Sequence, residues 1–152
     1  MSKNADLDPS TVIARRHVRV GWWSLLAFVG LGIVLESLHG LKLGFYLDVS
    51  NEARRLLWTL AHAHGTLLSL INVVFALTLP TISTWPERSL HLASRCLLGG
   101  LFLMPLGFFL GGCFIHDGDP GLGVVLVPPG ALLVFAAIFL TARAVSRSDG
   151  TR

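Results

Sequence analysis

Charge is what this chain has least of. Asp, Glu, Lys and Arg make up 14% of its 152 residues, while 53% are apolar, and the mean hydropathy is +0.67. Soluble domains carry about 25% charged residues. A net charge of +3 spread this thinly is no nucleic-acid footprint. Cysteine is scarce as well. Cys96 and Cys113 lie at opposite ends of one predicted helix, roughly 25 Å apart at the helical rise, too far to bridge. No Cys-x-x-Cys-His occurs, which rules out covalent c-type haem attachment. Nucleophile elbow, phosphate-binding glycine loop and zinc-protease motif are also missing, which disfavours conventional hydrolase chemistry.

Apolar residues instead form four continuous runs, at about 20–41, 56–80, 96–115 and 121–142. Each has about the 20 residues that cross a bilayer core as a helix. None alternates with period two, as a barrel strand does. The fold class is therefore all-α: a polytopic membrane protein built as a four-transmembrane-helix bundle, with residues 1–152 forming a single integral membrane domain. The first run is long and lacks a small-residue cleavage site, so it reads as a retained helix. Lys3, Arg15, Arg16, Arg19, Arg88, Arg95, Arg143, Arg147 and Arg152 fall on one side of the predicted membrane, and only Lys42, Arg54 and Arg55 on the other. The positive-inside rule then predicts N-in and C-in topology, and the expected location is a bacterial cytoplasmic membrane. Trp22, Trp23, Trp58 and Trp85 stand near span ends, as interfacial anchors do.

Residues 1–14 are polar and expected to be mobile. The connection at 42–55 mixes Leu43, Phe45, Tyr46 and Leu47 with charges and is expected to lie along the interface. His116-Asp117-Gly118-Asp119-Pro120 has the chemistry of a tight turn, which makes the third and fourth helices antiparallel neighbours. Gly107-x-x-x-Gly111 permits close backbone approach. Pro105 and Pro128-Pro129 are expected to interrupt the hydrogen bonding of their helices, as residues lining membrane cavities do.

The ionisable residues gather at one end. Glu36 and His39 close the first run, His62 and His64 open the second, and His116 ends the third, three residues after Cys113. Such groups are costly in hydrocarbon and mark functional sites. Thr59, His62, Thr66, Ser69 and Asn72 recur at helical spacing and form a polar stripe down one face of the second helix. His64 lies about 200° around the helix from His62, so periodicity favours His62 as the inward residue. Glu36-x-x-His39 is a ligand spacing known from helical bundles. Glu36, His39, His62 and His116 form a candidate metal set for copper, zinc or iron, and the histidines are also candidate haem ligands. A single helix-stabilising contact to Arg54 or to a histidine is the alternative use of Glu36. His17 and His91 sit in basic segments and read as solvated.

Ala61-His62-Ala63-His64-Gly65-Thr66-Leu67-Leu68 resembles the histidine-glycine segment in the second helix of the catalytic subunits of haem–copper oxidases and nitric oxide reductases. The resemblance covers about 20 residues and implies an axial ligand of haem b at His64, where periodicity favours His62. It does not extend to a copper site or to oxygen chemistry. Three functions remain in view. The first is a haem- or metal-binding membrane protein, electron-transferring or quinol-linked, with His62 or His64 opposed by His39 or His116. The second is a non-catalytic subunit of a homo-oligomer or larger complex. The third is a metal-ion or proton transporter subunit. The third meets an objection: the inner halves of the first, third and fourth helices hold almost no polar residues, so a path ends halfway.

Overall fold

The computed structural model describes residues 8–47, 52–116 and 118–149. Part of the 42–55 connection, Asp117 and both chain ends lie outside the described residues. Five α-helices follow in order: α1 (Pro9–Gly40), α2 (Gly44–Leu47), α3 (Glu52–Thr78), α4 (Glu87–Cys113) and α5 (Val127–Asp149). Short 3-10 turns, Leu79–Thr81 and Leu122–Leu126, extend α3 and precede α5. Among the described residues the only β pairing is an isolated bridge between His116 and Asp119. Four helices are long and apolar enough to cross a membrane, which makes this an integral membrane protein.

The predicted runs are the middles of longer helices. α1 starts at Pro9, a residue pre-set for a first helical turn, so residues 9–14 are helical. At 32 residues the helix is about 48 Å long. The hydrocarbon core is about 30 Å thick, so the arginine-bearing turns before residue 20 project beyond it. Pro128 and Pro129 do not break α5. They fall in its first turn, where missing N–H donors cost nothing. Gly107 and Gly111 serve packing within the chain, close against Val127 and Val124.

The helices stand in a row. α1 packs along α3, α3 along α4, and α4 along α5, each antiparallel to the last, while α1 and α4 touch only briefly. Burial follows this order. Only 11% of the apolar window is buried in α1 and in α5, against 39% in α3 and 44% in α4. The bundle has a proximal end, where α1 begins and α3 turns into α4, and a distal end, where α1 leads to α3 and α4 to α5. The apolar core lies proximally, around Ile13, Phe75, Leu79, Ala93, Leu97 and Ala137.

Candidate functional site

The α3 stripe faces α1, and hydrogen bonds cross that interface at three levels. Distally, the His62 Nδ1–H donates to the Phe28 carbonyl at 2.7 Å. Midway, the Ser69 hydroxyl donates to Ser24 Oγ at 2.7 Å. Proximally, His17 Nδ1 lies 2.6 Å from Asn72 Oδ1. The stripe is polar because it pairs two membrane helices. Two of its members stand outside this pairing: Thr59 is exposed and lines a groove, and the buried hydroxyl of Thr66 has no partner among the described residues.

Gly32 makes the distal bond possible. A Cβ there would stand 2.4 Å from His62 Cε1. In a helix, the side chain four residues on shields a carbonyl. With glycine at position 32, the Phe28 carbonyl stays open and accepts a second donor from α3. The anchored Nδ1–H fixes the tautomer and leaves Nε2 as the acceptor.

Beside this ring an open groove of about 650 Å³ separates the distal parts of α1 and α3, lined by Glu36, His39, Tyr46, Thr59 and His62, with Val29 and Ile33 on its flank. The fold thus brings together Glu36, His39, Thr59 and His62 from the candidate set. Tyr46 is buried at 4% exposure and stacks on Trp58 at 6.4 Å. Trp58 in turn stacks on Phe109 at 5.8 Å and donates its indole N–H to the Phe109 carbonyl. Tyr46 was not a candidate from sequence, because its connection offered no periodicity to orient it.

The remaining candidates go elsewhere. The His64 ring turns to α4, 4.9 Å from Phe108, and its Nδ1–H donates to the Leu60 carbonyl of its own helix. The open side of Gly65 is filled by Phe28, whose ring carbon lies 2.3 Å from where a Cβ would be. The space a macrocycle would need over that glycine is therefore taken. His116 is exposed and tied into the α4–α5 turn by backbone bonds to Asp119. Arg54 does not reach Glu36: its Nε–H caps the Gly112 carbonyl at 3.1 Å, and its guanidinium lies over Trp58. Among the described residues, no three His, Cys, Asp or Glu side chains stand close enough to share a metal ion.

The structure overturns one expectation outright. His17 is fully buried, while Ser94 Oγ lies 2.7 Å from its Nε2 and Arg16 donates to that same hydroxyl. Asn72 donates its amide N–H to the Leu68 carbonyl, so its Oδ1 must accept from His17. Every donor then finds an acceptor in one direction: Arg16 to Ser94, Ser94 to His17 Nε2, His17 Nδ1–H to Asn72, Asn72 to Leu68. Neutral imidazole completes the chain. The proximal halves of α1 and α4 are therefore not devoid of polar groups. The signal in the sequence was Asn72 itself, an amide inside an apolar helical run that needs a partner.

No protein-family model, no curated protein and no solved structure matches this chain.

Proposed function

We propose that this protein is a quinol-binding subunit of a membrane electron-transfer assembly, with the groove between α1 and α3 as the headgroup site. One observation carries the reading: a single groove, flanked by lipid-exposed apolar residues, is lined by a carboxylate, an imidazole with its acceptor nitrogen free, and a threonine hydroxyl. A quinol is a lipid-soluble ring with two hydroxyls. Its oxidation releases two protons and two electrons, and the protons need acceptors within hydrogen-bond reach. His62 Nε2 suits one hydroxyl and the Glu36 carboxylate the other. The electrons leave to a redox centre on a partner subunit. If the arginine-rich proximal end is cytoplasmic, the groove lies in the outer leaflet and releases its protons outward.

The test is titration of the detergent-purified protein with a short-chain quinol analogue, followed by Trp58 fluorescence. His62→Ala and Glu36→Gln are each expected to weaken binding about tenfold, the worth of a hydrogen bond to a charged or ligand group. Unchanged affinity in Glu36→Gln, an exposed position with no structural burden, overturns the assignment.

A second reading has its own support. Metal-ligating histidines usually donate their other ring N–H to a carbonyl or carboxylate, and His62 does so. Under it His62, with Glu36 or His39, holds haem b or a copper, zinc or iron ion. Oxidised and dithionite-reduced visible spectra, with metal analysis of the same sample, separate the two. Sharp haem bands or stoichiometric metal select the second.

A further inference from the structure

On the other side of α1 a second groove of about 580 Å³ separates α1 from α4, where the two helices part beyond the His17–Ser94 contact. Its walls are almost wholly apolar, with Trp23, Phe28, Phe102, Pro105 and Phe109 among them, and Arg19 closes its proximal end. From Arg19 to Leu31 the groove follows α1 for about 18 Å, against about 15 Å for one leaflet of hydrocarbon. Further cations border the same end. Arg16 shares the Arg19 face of α1 and reaches Ser94 on α4. Arg95 stands two turns before Phe102, on the same face of α4. The acidic groups described at this end of the two helices are engaged: Asp8, just before α1, accepts from the Ser10 hydroxyl, and Glu87 of α4 lies 3.5 Å from His91.

We infer that this groove binds an anionic phospholipid of the leaflet at the proximal end, one acyl chain lying between α1 and α4 and the phosphate meeting Arg19, Arg95 and Arg16. An apolar slot one leaflet deep with cations only at its mouth matches such a molecule in both length and charge. A second copy of this chain fits less well, because a two-fold contact through this face would set the same arginines against each other. The inference is independent of the quinol site, which lies on the opposite side of α1.

The test is native mass spectrometry of the full chain in detergent, titrated with phosphatidylglycerol or with phosphatidylcholine of the same acyl chains. One phosphatidylglycerol is expected to be retained in clear preference to phosphatidylcholine. Arg19→Gln and Arg95→Gln are each expected to weaken its retention about 5-fold, with helicity unchanged by circular dichroism. Leu106→Trp, which fills the slot and leaves the arginines in place, is expected to abolish the preference. Equal retention of the two lipids, arginine variants that bind as well as the parent, or a preference that survives Leu106→Trp each overturns the proposal. So does a dimer that Leu106→Trp dissolves, since the groove would then belong to a second copy.

Discussion

His17 shows how much one residue holds. Its ring joins α1 to both α3 and α4, a polar contact shared by three helices. His17→Ala is expected to cost about 1–3 kcal/mol, since it leaves Asn72 and Ser94 unpaired in a buried setting. Adding Asn72→Ala should then cost much less than it does alone, because the two residues act as one unit. Unfolding of the purified variants in mild detergent measures both, and additive losses would separate the pair. None of this was legible locally. His17 follows Arg15 and Arg16 in the sequence, and its neighbours suggest water. Its burial comes from the antiparallel register of α1 on α3, which also sets Gly32 against His62. Glu36, His39 and His62 were legible because each stands inside an apolar run, where a polar side chain stands out. Between His62 and His64 the sequence left both open: helical period favoured His62 and the histidine-glycine resemblance His64, and it is His62 that lines the groove.

The end of α1 carries a conformational cost. Lys42 adopts φ 51°, donates its N–H to the His39 carbonyl, and is followed by Leu43 donating to Leu38. This is a Schellman closure, whose left-handed position usually belongs to glycine. Lys42→Gly is expected to stabilise the protein by about 1 kcal/mol, because a left-handed residue with a Cβ is strained by that order. Thermal unfolding in detergent checks it, and a loss of stability would show that the Lys42 side chain contributes more than its backbone costs. The four membrane helices were readable as elements because hydropathy registers length directly. Their true ends were not: a helix that leaves the membrane goes on in polar sequence, as Pro9–Arg19 does. Pro128 and Pro129 misled for a related reason. Where a helix begins determines whether its prolines break it or start it, and the 3-10 turn at Leu122–Leu126 hides that start inside an apolar run.

Taken together, the described residues hold four membrane helices, an even number, so Pro9 and the end of α5 share the proximal side. The charge asymmetry predicts a cytoplasmic position for that side. A fluorescent protein fused after Arg152 is expected to fluoresce and alkaline phosphatase at the same point to stay inactive; the reverse pattern would invert the topology and move the α1–α3 groove to the inner leaflet. The order of the row bears on assembly as well. Helices adjacent in space are consecutive along the chain, so most of the structure can settle in the order of synthesis, each span docking on the one before it. The link from His17 to Ser94 breaks that sequence. It skips α3, and Asn72 alone holds the imidazole until α4 arrives. Of these four spans, α1 is thus among the last to be locked although it is made before the others, and for that interval the nascent protein carries an imidazole still waiting for its second partner.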